Sequence, residues 1–234
     1  MKLGLLADVH GNNIALEACL RVLDLEKVDE LVFIGDAVGY LPMAEKVLKK
    51  LDESKATCLL GNHEAMLLGL LMLNKPRDKV YGLKMTRMEL SDDRMEQISH
   101  WPLKKERNLN GRRLLFVHGS PWEELTEYIY PDSDLARFYT LGVDAVFMGH
   151  THRPFINTVG KTLVVNVGSC GLPRDHGELS SCAVFDTDSG ECRILRIPFD
   201  AQSVLRTVPR PVHPAVISSF ARKEPQKPFG VLAE

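Results

Sequence analysis

The chain has 234 residues, of which 44% are hydrophobic and 26% charged, so it is long enough for one large domain with a substantial core. Lys and Arg total 29 against 31 Asp and Glu, and the formal net charge of −2 argues against a basic nucleic-acid-binding protein or a polybasic membrane patch. The five cysteines include no Cys-x-x-Cys pair, which indicates buried free thiols. No signal-peptide pattern precedes the first strand, and no apolar stretch approaches the ~20 residues that span a bilayer. We therefore expect a cytoplasmic protein.

Short apolar runs that end at a polar cluster recur along the first two thirds of the chain. Their length of four to six residues predicts buried strands, and amphipathic segments at helical spacing lie between them. This alternation predicts an α/β fold with crossover connections, in which ligands collect beyond the carboxyl ends of the strands. The predicted strands are 3–7, 31–34, 56–60, 114–117 and 145–148, and the clearest helices are 14–23 and 44–51.

The pattern after Gly149 changes to strands and turns without strong helices. Asp188-Ser189-Gly190 is typical of a hairpin connection between two of these strands. We expect them to form a second sheet, packed face to face on the first. The predicted strands are 155–159, 163–167, 181–185 and 193–197.

Two further regions are assigned from composition. Residues 64–98 are predicted to be helical, and their Met- and Leu-rich stretch 66–73 would form a cap over an active site, plain core, or a homo-oligomer surface. The main folded domain is expected to occupy residues 1–200. The remainder, 201–234, contains five prolines and is expected to be an extended strap or a partly disordered tail.

The polar clusters at the strand ends are the most informative feature. They supply carboxylates, imidazoles and an amide oxygen, with no thiolate metal site. Such a set of ligands suits two adjacent divalent ions, and dinuclear metal centres commonly catalyse the hydrolysis of phosphate esters. The clusters are Asp8-Val9-His10-Gly11-Asn12, Gly35-Asp36, Gly61-Asn62-His63-Glu64, His118-Gly119-Ser120, Gly149-His150-Thr151-His152 and Asn166-Val167-Gly168-Ser169.

Over residues 1–200 the order and the residue types of these clusters resemble the motifs of the calcineurin-like metallophosphoesterase superfamily. The form Asp-Val-His-Gly-Asn is most similar to its small bacterial and archaeal phosphodiesterase branch. The resemblance implies an α/β fold of two packed mixed sheets flanked by helices, a four-layer αββα sandwich. It also implies one metal site made of Asp8, His10, Asp36 and His152, and a neighbouring site made of Asp36, Asn62, His118 and His150.

The same resemblance assigns roles to particular residues. Asp36 would bridge the two ions, and His63 would protonate the leaving-group oxygen as a general acid. Glu64 is expected to orient His63 or to cap the following helix. Independently, Asp8 and His10 stand two apart, so in an ideal strand both side chains point to the same face. The histidines at 150 and 152 have the same spacing.

The resemblance implies hydrolysis by direct attack of a hydroxide bound to the metals, without a covalent intermediate. Mn²⁺ is the first choice of metal, and Fe, Zn, Ni and Co also fit a mixed His, Asp and Asn site. The expected substrate is a phosphodiester or a small phosphomonoester. No nucleic-acid or membrane partner is expected.

The sequence departs from one pattern of the superfamily. Protein Ser/Thr phosphatases and dinucleoside tetraphosphatases carry Gly-Asp-x-x-Asp-Arg-Gly, whereas this chain has Val38-Gly39-Tyr40 after Ala37 and lacks that arginine. Arg153 or Arg174 would substitute for it, or each is a surface arginine paired with an acid, such as Arg174 with Asp175. The Asn166-Val167-Gly168-Ser169 loop has valine where the branch usually has proline, and we expect its backbone to shape the pocket.

Two other functions stay open. One is a phosphatase for phosphoproteins or dinucleoside polyphosphates, which the missing arginine disfavours. The other is a non-catalytic metal-binding scaffold, as in a retromer subunit of the superfamily, where the catalytic histidine is absent. The presence of His63 argues against a scaffold. The remaining histidines, His100, His176 and His213, match no motif and are expected on the surface or in packing.

Overall fold

Two mixed β-sheets pack face to face in the computed structural model, which describes residues 1–233. The strands are β1 Lys2–Leu6, β2 Glu30–Phe33, β3 Thr57–Cys58, β4 Lys104–Leu109, β5 Arg112–Val117, β6 Ala145–Met148, β7 Phe155–Val159, β8 Thr162–Asn166, β9 Leu179–Asp186, β10 Cys192–Pro198 and β11 Val231–Leu232. The helices are α1 Asn13–Leu25, α2 Ala44–Glu53, α3 Asn62–Leu67, α4 Lys75–Tyr81, α5 Leu83–Glu89, α6 Asp92–Ser99, α7 Ala201–Thr207 and α8 Pro214–Phe220.

The expected two-sheet sandwich is confirmed, but the predicted division of strands between the sheets is wrong. One sheet has the order β11-β10-β9-β1-β2-β3, and the other has the order β4-β5-β6-β8-β7. β1 pairs in parallel with β2 on one side and antiparallel with β9 on the other, while β6 lies between β5 and β8 with both pairs parallel. Each sheet therefore combines strands from both halves of the chain.

The core follows from the alternation of side chains along each strand. In β5, Leu114 and Phe116 pack between the sheets, whereas Leu115 and Val117 pack on the outer face. That outer face is covered by a short 3-10 helix, Ala136–Thr140, and neighbouring loops. The outer face of the first sheet packs against the longer helices α1 and α2.

The region between the two halves is helical, as predicted, but is broken into the four short helices α3–α6. α3 is buried from His63 onward, whereas Leu70 is 66% exposed and Met72 is 87% exposed. The Met- and Leu-rich stretch is therefore divided between core and surface.

The C-terminal tail is more regular than the expected strap. Pro214 is the first residue of α8, a position where proline costs no helical hydrogen bond, and β11 pairs in parallel with β10. The division of the chain at residue 200 stays a prediction. Within residues 1–233, no helix has the length and apolar character needed to cross a membrane.

Candidate metal centre

Loops at the carboxyl ends of strands from both sheets meet at one edge of the sandwich. β1 and β2 lead to the loops that carry Asp8, His10 and Asp36, and the N-terminus of α3 contributes Asn62. β5 and β6 of the other sheet lead to the three remaining candidate ligands. Six of the seven candidates are buried and Asn62 is half-buried. The candidates from the second sheet are His118, His150 and His152.

A first cluster joins Asp8, His10 and His152, whose ligand atoms all lie within 4.8 Å of one another. The two imidazole Nε2 atoms are 3.0 Å apart. Asp8 Oδ1 lies 3.2 Å from Nε2 of His152 and 3.7 Å from Nε2 of His10. The arrangement presents three ligand atoms to one point.

A second cluster lies beside the first and joins Asp36, His118 and His150. Asn62 Oδ1 lies 3.0 Å from Nε2 of His118. Asp36 Oδ2 is 3.4 Å from Nε2 of His118 and 3.6 Å from Nε2 of His10. One carboxylate oxygen thus stands between the two clusters.

The hydrogen bonds of the imidazoles show that the residues fit a cation. Nδ1 of His10 lies 3.1 Å from the carbonyl of Val38, and Nδ1 of His152 lies 2.5 Å from that of Leu172. Because a carbonyl only accepts, each Nδ1 carries the proton, and in the neutral rings the two Nε2 lone pairs face each other at 3.0 Å. A positive ion between them removes this repulsion.

Two further buried atoms have no hydrogen-bond partner among residues 1–233, namely Asp8 Oδ1 and His150 Nε2. One belongs to each cluster. An unpaired buried polar atom is costly, so its presence in both clusters supports two cation sites.

The surroundings of the clusters favour ionised carboxylates, and they shift the pKa values of His150 and His118 in opposite directions. Burial opposes ionisation of Asp8, but His152 and His10 outweigh it and hold the pKa of Asp8 well below its usual range. Burial lowers the pKa of His150 to about 3. For His118 burial also lowers the pKa, but Asp36 outweighs burial and raises it to about 10. That proton would have to leave before His118 could bind a metal.

The backbone at the site is unusual, and it corrects the geometric argument made from the sequence. Asp8, His10, Asp36, His150 and His152 all have positive φ, between 50° and 67°. The pairs at 8/10 and 150/152 are therefore not extended segments, and left-handed loop geometry brings their side chains together. Each such residue costs about 1–2 kcal/mol, strain of the kind that clusters at functional sites.

Hydrogen bonds between loops maintain this backbone. The N–H of Asp8 donates to the Gly35 carbonyl at 2.9 Å, and the N–H of His10 donates to the Asp36 carbonyl at 3.0 Å. The N–H of His150 donates to Oδ2 of Asp8 at 2.9 Å. The carboxylate of Asp8 thus fixes a loop of the opposite sheet.

Glu64 is buried and connects two of the site's loops. Its carboxylate accepts from the backbone N–H groups of Asp36 at 2.8 Å, Gly61 at 3.0 Å and Val38 at 3.1 Å. The bond to Gly61 caps α3, one of the two roles expected from the sequence. Burial and the neighbouring Asp36 raise the pKa of Glu64 to about 7. Glu64 positions the loop of Asp36.

We expect Glu64→Gln to destabilise the protein by about 1–3 kcal/mol, because the new amide N–H₂ would face backbone donors. Urea unfolding of the metal-free protein measures this change. Glu53→Gln, which alters a surface pair with Lys50, is the matched control and should leave stability within about 0.5 kcal/mol. Equal stability of the Glu64 variant and the wild type would contradict the positioning role.

His63 is enclosed by aromatic rings next to the first cluster. Its ring centroid lies 4.5 Å from those of His10 and Tyr81 and 4.9 Å from that of Tyr40. Nδ1 of His63 lies against Gly39 and has no hydrogen-bond partner within residues 1–233. Burial lowers the pKa of His63 well below its usual range, although Asp36 opposes this shift.

We expect Gly39→Ala to abolish most activity, because the added Cβ would lie 2.2 Å from Nδ1 of His63 and would displace the ring. Gly39 has φ +88°, and Gly111, in the β4–β5 turn, has φ +78°. Alanine at either site costs about 1–2 kcal/mol of backbone strain. A Cβ at Gly111 would contact nothing in residues 1–233 within 4 Å. Gly111→Ala is therefore the control for strain alone, and equal losses of turnover in both variants would contradict the steric account.

The end of β8 and the loop after it support the site through side chains, in addition to the backbone bonds of Cys170 to Ala7 and of Gly171 to Asp8. Only a backbone contribution was expected. Asn166 donates from Nδ2 to the Gly149 carbonyl at 2.6 Å. Ser169 donates from Oγ to the Asp8 carbonyl at 2.7 Å. Both residues are buried.

Sequence reasoning missed three tyrosines that contact the site. Tyr40 and Tyr81 contact His63, and the ring of Tyr128 lies 3.9 Å from that of His150. Tyr40 directly follows the Asp36 cluster, which was the available signal. Tyr81 and Tyr128 lie outside every motif. None of the unassigned histidines joins the clusters: His100, His176 and His213 bond to backbone groups elsewhere.

The fold and clusters define a metallophosphoesterase-like sandwich, and comparison with known sequences gives the family. Residues 1–190 match the calcineurin-like phosphoesterase superfamily domain. The chain belongs to this superfamily of metal-dependent phosphoesterases.

The chain is also similar to individual proteins. A Methanocaldococcus jannaschii protein, MJ0912, is 26% identical over 228 residues, which span 88% of this chain and 91% of the relative. The crystal structure of a metallophosphoesterase from Sphaerobacter thermophilus superposes with a TM-score of 0.80 at 25% identity, covering 96% of this chain and 99% of the other. A symmetrical bis(5'-nucleosyl)-tetraphosphatase of Paracidovorax citrulli is 31% identical over 124 residues, covering 50% of this chain and 44% of the relative.

Proposed function

We propose that this phosphoesterase hydrolyses phosphodiesters or small phosphomonoesters at a dinuclear metal centre. The position of Asp36 Oδ2 between the two clusters, 3.6 Å and 3.4 Å from an imidazole of each, is the observation that carries the proposal. One site would use Asp8, His10, Asp36 and His152, and the other would use Asp36, Asn62, His118 and His150. Mn²⁺ is the proposed metal, and Fe, Zn, Ni or Co would suit the same ligands.

The bound ions would polarise the phosphoryl oxygens and make the attacking water more acidic. His63 would give a proton to the departing oxygen. Its burial keeps the imidazole neutral in the free protein, and the negative charge of an arriving phosphoester would raise its pKa. The rings of Tyr40 and Tyr81 hold the imidazole in place and limit the access of water.

A cavity of about 350 Å³ beside the centre favours a small organic ester over a folded phosphoprotein. Asn62 and His150 line the end that adjoins the metal clusters, and Tyr81 and Tyr128 contribute aromatic surface. The apolar walls of the cavity are formed by Met66, Leu71, Met72 and Leu125. Arg77 also lines the cavity.

The direct test is hydrolysis of bis-p-nitrophenyl phosphate and p-nitrophenyl phosphate by metal-stripped protein reloaded with Mn²⁺. The proposal predicts turnover that disappears on stripping and returns on reloading. Turnover of neither ester by protein that holds its metals would contradict it.

A second candidate function is hydrolysis of dinucleoside polyphosphates. The sequence identity with the Paracidovorax citrulli tetraphosphatase supports it, although that match spans half of the chain. The absence of the arginine of the Gly-Asp-x-x-Asp-Arg-Gly motif disfavours it. Diadenosine tetraphosphate in the same assay distinguishes the two candidates.

The cysteines and the exposed apolar side chains bear on the cellular setting and the assembly of the protein. The five cysteines are free, three of them buried, which supports a reducing cytoplasm. Exposed apolar side chains on and around α3–α5 support a homo-oligomer contact, and they include Leu70, Met72, Met85 and Met88.

A further inference from the structure

Arg174 lies half-buried beside the candidate metal centre, on the loop after β8. Its backbone N–H donates to the carbonyl of His152 at 3.2 Å, and His152 donates from Nδ1 to the carbonyl of Leu172 in the same loop. Its guanidinium Nη2 lies 3.5 Å from the hydroxyl of Tyr40. The loop is thus fixed to a candidate ligand, and its arginine reaches the same edge of the sandwich.

The guanidinium lies beside tyrosines that contact the two clusters. The ring of Tyr40 contacts that of His10 in the first cluster at 4.7 Å, and the ring of Tyr128 contacts that of His150 in the second at 3.9 Å. Burial raises the pKa of Tyr128, and the nearby charge of Arg174 partly opposes this shift. Arg174 therefore stands close to two tyrosines that lie on different clusters.

Arg174 also has no carboxylate partner within residues 1–233, so of the two alternatives left open for it, the pair with Asp175 is not formed. Arg196 binds Asp175 through two contacts of 2.5 and 3.0 Å. Arg153, the other candidate, is paired with Glu224 of the C-terminal tail. A guanidinium withdrawn from water favours an anion that accepts two parallel hydrogen bonds, and phosphate has that geometry.

We propose that Arg174, oriented by the hydroxyl of Tyr40, binds two non-bridging oxygens of the substrate's phosphoryl group. This inference rests on the proposed phosphoesterase function. It supplies, from the loop after β8, the cationic contact that other members of the superfamily take from the arginine after their Gly-Asp cluster.

The charge of the substrate makes the contact selective. A phosphomonoester has one more non-bridging oxygen than a diester and can carry one more negative charge. Removal of Arg174 should therefore weaken the binding of monoesters more than the binding of diesters. A residue that served only to support the fold would change both substrates alike.

The test compares Arg174→Gln with Arg153→Gln, a matched loss of a nearby arginine whose charge is already paired. For each metal-loaded protein, calorimetry measures the Kd of inorganic phosphate, and elemental analysis measures metal content. We expect Arg174→Gln to raise this Kd by about 10- to 100-fold with metal content unchanged. Arg153→Gln should match the wild type.

Two milder variants guard against misfolding of Arg174→Gln. Tyr40→Phe removes only the hydroxyl that orients the guanidinium and should raise the phosphate Kd by a smaller factor. Arg174→Lys keeps the charge without the two-pronged geometry and should restore part of the affinity. The ratio of kcat/KM for p-nitrophenyl phosphate to that for bis-p-nitrophenyl phosphate should fall in Arg174→Gln.

Wild-type phosphate affinity in Arg174→Gln, or equal weakening in Arg153→Gln, would overturn the inference even if both esters are hydrolysed. Loss of metal in Arg174→Gln would also overturn it, because the residue would then be supporting the ligand loops. A wild type that hydrolyses neither ester contradicts the proposed function instead, and the phosphate affinities still decide whether Arg174 binds the anion.

Discussion

Replacing His63 with alanine is expected to lower turnover of a phosphodiester by about 10²- to 10⁴-fold while both metal ions stay bound. In the proposed mechanism the imidazole supplies the proton that the leaving oxygen needs, whereas the ligand clusters do not depend on it. Steady-state kinetics on bis-p-nitrophenyl phosphate, with elemental analysis of the same sample, measure both quantities.

His100→Ala is the matched control, because this histidine is exposed and bonds only to the carbonyl of Glu96. It should leave both turnover and metal content unchanged. The metal measurement on the His63 variant matters because a nitrogen of His63 lies within 4.8 Å of ligand atoms of His10 and Asp36. Loss of an ion in His63→Ala would make His63 a ligand and would contradict its role as an acid.

Asp36→Asn is expected to lower metal affinity by more than about 100-fold, a larger loss than changes outside the metal's own ligands produce. The carboxylate stands between the two clusters, so its replacement by a neutral amide removes a negative charge from both sites. Equilibrium dialysis against Mn²⁺ measures the loss. Added Mn²⁺ should also raise Tm less in this variant than in the wild type.

The control for Asp36→Asn is Asp93→Asn, the same change at an exposed position in the first turn of α6. It should bind Mn²⁺ as the wild type does. Asp36 also accepts from the N–H of His63 at 2.8 Å, which an amide oxygen can still do, so the fold should survive. Undiminished binding of two ions together with full activity in Asp36→Asn would contradict the bridging role.

The arrangement of candidate ligands could be predicted from the sequence because it depends on short-range patterns. Each cluster follows a buried apolar run, and parallel strands place their carboxyl ends at one edge. Because β1 and β2 belong to one sheet and β5 and β6 to the other, this rule accounts for the pair Asp8 and Asp36 and for the pair His118 and His150. The packing of the two sheets brings these pairs together. Their roles as ligands stay a proposal.

The partition of strands between the sheets could not be predicted in the same way. The pairing of β1 with β9 joins segments about 180 residues apart, and nothing in either apolar run specifies its partner. The left-handed backbone at Asp8 and His10 was also hidden, because such φ values are held by hydrogen bonds to Gly35 and Asp36 from another loop.

The choice between Arg153 and Arg174 shows the same limit. Both lie near motif residues, so the sequence treats them alike. The two arginines differ in their ion pairs, which depend on residues distant in the sequence. Arg153 pairs with Glu224 of the tail, whereas Asp175, next to Arg174, pairs with Arg196 of β10. Only the assembled structure leaves Arg174 without an acid among residues 1–233.

The central claim is that two ions bind in adjoining sites and that activity requires both. Its most direct test is titration of metal-free protein with Mn²⁺, with bound metal and diester hydrolysis measured at each step. We predict two equivalents bound per chain, with activity that appears as the second site fills. Full activity at one equivalent, or saturation of binding at one, would contradict the dinuclear centre.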